Sequence, residues 1–190
     1  IATNFHATHV AGTMMASGVL SEAKGMAPQA DLKAWDWSDD EVEFMNAAWY
    51  DEILVSNHSY GNSACFSTSG GEWYWHGDPS IDAQEDWAFG HYSSESQFLD
   101  EIARMMPHYL MVRTSGNHRN DSGPAQGEDH WIYDNGTWVA SSIQRQADGG
   151  ADGFDSLNPR AAAKNPLIIG SIDAMPNGYE GPESVQLSSF

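Results

Sequence analysis

Three short aliphatic runs, each emptying into a turn of small polar residues, restrict what this chain of 190 residues can become. Ile53-Leu54-Val55 runs into Asn57-His58-Ser59-Tyr60-Gly61-Asn62, and Tyr109-Leu110-Met111-Val112 runs into Arg113-Thr114-Ser115-Gly116-Asn117. Pro166 to Asp173 supplies the third run. Between the first two, Phe98, Leu99, Ile102, Ala103 and Met106 recur at helical spacing over 93–106, and Pro107 stops the helix. Strand, helix, strand in that order predicts a parallel pair joined by a right-handed crossover, which sets the two following turns side by side. Continuous aliphatic runs are those of parallel strands covered on both faces. The predicted class is therefore α/β with a mostly parallel sheet, and ligands of such sheets bind at the carboxyl ends of the strands.

Before the first strand, Phe5-His6-Ala7-Thr8-His9-Val10-Ala11-Gly12-Thr13 is a histidine-bearing turn leading into an apolar helix of small residues. Val10, Ala11, Met14 and Met15 share a face, and Gly12 and Ala16 allow another element to come close, so a buried helix is expected. Imidazole titrates near neutrality, which suits a helix-anchored histidine to general-base work; ordinary core or surface histidines are the plain alternative. His6 and His9 also form an H-x-x-H pair, but the glutamate of H-E-x-x-H is missing and no third ligand follows from the spacing. No metal is assigned.

Gly25 to Ala30 reads as a turn, and polar and apolar residues alternate from Asp31 to Trp37 as in a strand. Ser38-Asp39-Asp40-Glu41 offers a cap and acids for a second helix ending near Tyr50, with Val42, Phe44, Met45, Ala48 and Trp49 as its apolar side. Residues 63–90 are irregular, with Trp73, Tyr74, Trp75 and Trp87 among Gly, Ser, Asp and Pro. They read as a cleft wall or a packed surface loop, with an aromatic platform for carbohydrate as the alternative. Residues 118–164 are rich in Gly, Asn and Asp, with strands expected near 131–133 and 137–141.

His6-Ala7-Thr8-His9-Val10-Ala11-Gly12-Thr13 resembles the histidine motif of the subtilases, the subtilisin-like serine peptidases, which usually reads H-G-T-H-V-A-G-T; Ala7 stands in place of glycine. Ser115-Gly116-Asn117 resembles the family's A-A-G-N segment, Gly25 to Ala30 its G-V-A-P-x-A, and the turn after Val55 the end of its S-L-G-G strand. Residues 166–173 are similar to I-x-V-G-A-V-D, and Leu187 to Phe190 to the start of S-x-F-S-S.

The resemblance implies a subtilisin-like three-layer α/β/α fold with a mostly parallel sheet, and a serine endopeptidase acting on polypeptides. His6 is then the catalytic base, His9 is structural, and the Asn117 amide donates to the oxyanion. Ser59, Tyr60, Gly61, Ser115 and Gly116 line the extended peptide, with Tyr60 and Asn62 departing from the usual residues. A secreted or extracellular location is expected with it.

No G-T-S-M-A segment occurs, and Asp121-Ser122-Gly123 does not serve as the family's D-[ST]-G acid motif. No apolar strand precedes it and it follows the histidine, whereas the family order is Asp, His, Ser; it reads as loop. The nucleophile is thus expected beyond Phe190 and the acid before Ile1. Residues 1–190 are accordingly expected to be a partial catalytic domain, incomplete at both ends and inactive alone, with an insertion at about 63–90. Its partner is the remainder of its own domain. The absence of an initiator Met and of a signal segment fits a mature or excised piece. Other readings are a catalytically dead subtilase-like binding module and a glycan binder using Trp73 and Trp75.

Eight Lys plus Arg against 27 Asp plus Glu give a formal charge of −19, which opposes binding to nucleic acid and to anionic membranes. No run of eighteen apolar residues is present, so no membrane partner is expected. No cofactor is required; Ca2+ is allowed as a structural ion by the acidic composition and the family, although no ligand loop of recognisable spacing occurs. Cys65 stands alone, which precludes a disulfide within the chain.

Overall fold

The computed structural model describes residues 4–147 and 155–189. They belong to two compact units, residues 1–47 and 48–190.

In the first unit, helix α1 (Phe5–Met15) starts at Asn4, whose extended backbone and side-chain oxygen cap the Ala7 N–H at 3.0 Å. Its far end is closed by a returning segment: Gly25, Met26 and Ala27 donate to the carbonyls of Ala16, Thr13 and Met14 at 2.9, 3.0 and 2.7 Å. These bonds satisfy carbonyls that a helix end otherwise leaves orphaned. Gly25 permits the approach, because a Cβ there would stand 2.4 Å from the Ala16 nitrogen. The expected turn at 25–30 is present.

Burial of α1 is not found, since none of its residues is fully buried. Its alanines and glycine offer little side chain to bury, and nothing lies within 4 Å of a Cβ built on Gly12. The strand expected at 31–37 is also absent, and the segment is exposed irregular chain. Alternation makes a strand only where a neighbour pairs with it, and the first unit has no strand among its described residues.

Helix α2 (Asp40–Tyr50) has three acids in its first turn and buries Phe44 and Ala47. Val42 and Trp49, expected on its apolar side, are 52% and 63% exposed.

The second unit contains two sheets. Strands β1 (Val55–His58), β4 (Leu110–Thr114) and β7 (Leu167–Ile169) form a wholly parallel sheet in the order β1-β4-β7. Val55 pairs with Leu110 and His58 with Arg113, while Thr114 pairs with Ile169. Helix α3 (Ser94–Met105) joins β1 to β4, as the spacing predicts, and buries Leu99 and Ile102. It begins with a capping box in which the Ser93 and Ser96 hydroxyls each accept from the other residue's N–H.

Among the described residues the sheet is well covered on one face and only partly on the other, where Val112 and Thr114 are half-buried. Ser56, His58, Met111 and Arg113 point to the covered side, with Met111 and Arg113 1% and 2% exposed. On the other side Val55, Leu110, Leu167 and Ile169 are between 40% and 58% exposed. Ile53-Leu54-Val55 and 166–173 are therefore not strands covered on both faces, despite their aliphatic character. They lie in or beside the two edge strands of a three-stranded sheet.

The segment expected to be irregular, 63–90, contains a hairpin of β2 (Phe66–Ser69) and β3 (Glu72–Trp75). Gly70 and Gly71, at φ of +61° and +87°, make the two-residue turn that suits a twisted hairpin. Strand β3 pairs in parallel with β5 (His130–Asp134), which turns at Asn135-Gly136 into β6 (Thr137–Ser141). Ala64, Cys65, Phe66, Trp75, Phe89 and Ile132 form a core on this mixed sheet. Trp75 of the aromatic stretch is thus part of a structural layer, whereas Trp87 is 40% exposed. Trp75 is fully buried, so its ring is not offered as a platform.

Candidate active site

His6 lies in the first turn of α1 and is exposed. The cap at Asn4 fixes that turn, and the Thr8 hydroxyl donates to the Asn4 carbonyl at 2.8 Å. His9, one turn on, is also exposed and stacks on Phe5 with 6.4 Å between ring centroids.

The other expected site residues lie in the second unit, at the carboxyl end of the parallel sheet. Parallel pairing of His58 with Arg113 brings the turn 59–61 beside the bend 115–117. Ser59, Tyr60, Ser115 and Gly116 are half-buried, while Gly61 and Asn117 are exposed. The Ser115 N–H extends the ladder by donating to Ile169 at 3.0 Å, after which the chain leaves the sheet. Gly116 turns it at φ +109°, a conformation side-chain-bearing residues rarely adopt, with its N–H on the Thr114 hydroxyl at 3.1 Å. Asn117 follows on the exposed side of that bend.

The Tyr60 side chain turns back onto the sheet. Its hydroxyl meets Nδ1 of buried His58 at 2.7 Å, and Nε2 of His58 meets the Ser56 hydroxyl at 2.6 Å. The Ser56 hydroxyl in turn lies 2.5 Å from that of Tyr109, and the Arg113 guanidinium stands 5.6 Å from the centre of the Tyr60 ring. Burial pushes the Tyr109 phenol up from its ordinary value, against the lowering effects of Ser56 and Arg113. This hydroxyl and imidazole chain, invisible as a motif, turns the Tyr60 side chain inward onto the sheet.

The bend at 115–117 is held from both sides. Nδ1 of His118 lies 2.8 Å from the Asp121 carboxylate, which confirms Asp121-Ser122-Gly123 as loop. Arg119 donates to the Ser188 carbonyl at 3.3 Å, and Asn120 donates to that of Ser189. On the opposite side stands Asn158, 3% exposed, whose Nδ2 lies 2.8 Å from the position of a Cβ on Gly61 and 3.6 Å from that of one on Gly116. Sequence reasoning missed it; the only local sign is Asn before Pro159, where its oxygen caps a short 3-10 turn through the Ala161 N–H at 3.1 Å.

No cluster of three or more metal-ligating side chains occurs among the described residues, and none of their helices is long and apolar enough to cross a membrane.

Parallel strands that deliver two turns to one edge, the second running into a Gly-Asn bend, define an α/β protein of parallel-sheet type. The model of the Subtilase family matches residues 2–189, and the chain belongs to that family of serine peptidases, whose substrates are polypeptides. No curated protein and no solved structure matches it.

Proposed function

We propose that the chain is part of a serine endopeptidase in which His6 is the general base and Asn117 the oxyanion donor. The catalytic serine passes its proton to His6 as it attacks the peptide carbonyl, and His6 returns that proton to the leaving amine. Negative charge then develops on the carbonyl oxygen. A fixed, neutral carboxamide such as that of Asn117 stabilises this charge without solvent having to reorganise. Ser59, Tyr60, Gly61, Ser115 and Gly116 hold the extended peptide through their backbones.

The observation that carries the reading is the bend at Gly116. It supports an exposed asparagine directly beyond a central parallel strand, beside a second turn at 59–61. The histidine motif on a capped first turn supports the role of His6.

Residues 1–190 are on this reading a partial catalytic domain, with about 63–90 inserted into it, whose nucleophile and acid come from outside this stretch. The open aliphatic face of Val55, Leu110, Leu167 and Ile169 and the exposed α1 favour further chain of the same domain as their cover. A secreted or extracellular enzyme without an obligatory cofactor, Ca2+ serving at most to stabilise the fold, completes the proposal.

The test is peptide hydrolysis by the full-length protein that contains this chain. His6→Ala is expected to lower kcat by about 10⁴-fold or more, as loss of a triad member does. An unchanged rate removes His6 from the mechanism, and a wild-type protein that hydrolyses no peptide leaves the dead binding module as the better reading.

A further inference from the structure

We propose that Asn158 is a positioning residue that locks the turn at Gly61 and the bend at Gly116 into one rigid frame, and so sets where Asn117 presents its amide. The inference rests on the peptidase reading for its effect on catalysis, but not for its geometry.

Asn158 is far in sequence from both loops, yet its carboxamide is packed against each. The nitrogen reaches within 2.8 Å of a Cβ position at Gly61 and 3.6 Å of one at Gly116, where the Ser156 carbonyl also stands 3.9 Å away. The space beside the two glycines is therefore filled by a polar group with a fixed orientation. That orientation is set at the other end of the amide, where Oδ1 accepts the Ala161 N–H at 3.1 Å. A carboxamide held by its oxygen keeps its nitrogen in one place.

The segment that carries Asn158 is itself pinned. The Leu157 carbonyl accepts from Gly90 N–H at 2.8 Å, and the Pro159 carbonyl accepts from the buried Ser96 hydroxyl of α3. Arg160 donates to Glu95 at 3.3 Å, and the same Glu95 oxygen accepts from Asn62 at 3.1 Å. The first turn of α3 thus ties the Asn158 segment to the residue that follows Gly61. Gly61 has no unusual φ, so the closeness of Asn158 is its reason for being glycine.

Four variants test this in the full-length protein that contains this chain, by readouts other than catalysis: Asn158→Asp, Asn158→Ala, Gly61→Ala and Gly61→Ala/Asn158→Ala. Asp retains the capping oxygen but replaces the nitrogen, so the fold is kept while the frame is altered. The expected results are that Asn158→Asp, which places a carboxylate at a site only 3% exposed, melts lower than wild type but keeps its fold, and shifts the amide resonances of Gly61, Gly116 and Asn117. Gly61→Ala should melt lower or fail to fold, and removal of the Asn158 carboxamide in the double variant should restore most of the loss. Additive losses, a double variant that also fails to fold, or resonances of both loops unmoved by Asn158→Asp would overturn the proposal.

In the full-length peptidase, Asn158→Asp is expected to lower kcat about tenfold with KM within twofold, less than the roughly 10²-fold or greater loss of removing an oxyanion donor outright. A kcat unchanged beside moved resonances would overturn the catalytic part. Absence of hydrolysis by the wild type would count against the peptidase reading alone, since melting and resonance shifts report the frame separately.

Discussion

Nη1 of Arg145 donates to Nε2 of His130 across 2.6 Å inside the mixed sheet, where both residues are almost fully buried. The same nitrogen donates to the Ser141 hydroxyl at 2.9 Å and the Ile143 carbonyl at 3.1 Å, and the guanidinium stands 4.5 Å from the centre of the Trp75 ring. An imidazole that accepts from a guanidinium must be neutral at that nitrogen. Burial, and then the Arg145 charge, hold the His130 pKa below its ordinary 6.5; the Glu128 backbone and Asp129 oppose this.

The sign of the resulting pH dependence follows. Below about pH 6.5 the unfolded chain takes up a proton at His130 that the folded chain refuses, so this residue's contribution to stability is lost as pH falls from 6.5 towards the folded pKa. Urea midpoints should therefore drop between pH 7.5 and pH 5.5. His130→Gln, which offers Arg145 an uncharged acceptor, should flatten that slope; an identical slope in the variant would show that His130 does not titrate as argued.

Removing Trp75 tests whether the aromatic segment is scaffold or platform. Trp75 is fully buried, packs in the cluster with Cys65, Phe66 and Ile132, and lies under Arg145. Trp75→Ala should cost about 3–5 kcal/mol of stability, as large-to-small core changes do. The readout is urea unfolding followed by circular dichroism. A loss below about 1 kcal/mol would place the ring outside the core, since changes of that size are ordinary for surface positions.

The cap of α3 supports the site indirectly, because Ser96 and Glu95 hold the segment 157–160. Ser93→Ala deletes the acceptor for the Ser96 N–H and should cost about 1 kcal/mol. Ser93→Asp should restore most of it. Equal midpoints for Ser93→Ala and wild type in urea would mean that the cap contributes nothing.

The elements legible in the sequence were those with a local cause. Helix α3 announced itself by its period and by Pro107, and β1 and β4 by aliphatic runs that end in small polar turns. Periodicity, however, reports apolar character and not what covers it. Leu167 and Ile169 look like core residues in the sequence but lie on an edge strand with one open face, and 31–37 alternates without a partner strand. The hairpin at 66–75 carried a readable signal, Gly70-Gly71 between alternating residues, that the density of tryptophan and turn residues around it obscured. Asn158 and the Tyr60, His58, Ser56, Tyr109 chain were not legible, because each depends on packing between residues distant in sequence.

The oxyanion role proposed for Asn117 makes a narrower prediction than the base role proposed for His6. A base is needed throughout the reaction, whereas a donor aimed at the oxyanion is worth more when the carbonyl oxygen is charged than when the substrate first binds. Asn117→Ala in the full-length protein should therefore lower kcat by about 10²–10³ and leave KM nearly unchanged. That magnitude is the one known for a subtilisin, a member of the same family, and is carried over to this position. Asn117→Asp should be at least as poor, since a carboxylate offers no N–H and repels the developing charge. Both variants should melt within a few degrees of wild type, because Asn117 is exposed and the bend is set by Gly116. Steady-state hydrolysis of a chromogenic peptide separates the cases: a rise in KM at constant kcat would make Asn117 a substrate-binding residue, and a kcat within twofold of wild type would exclude it from the oxyanion site.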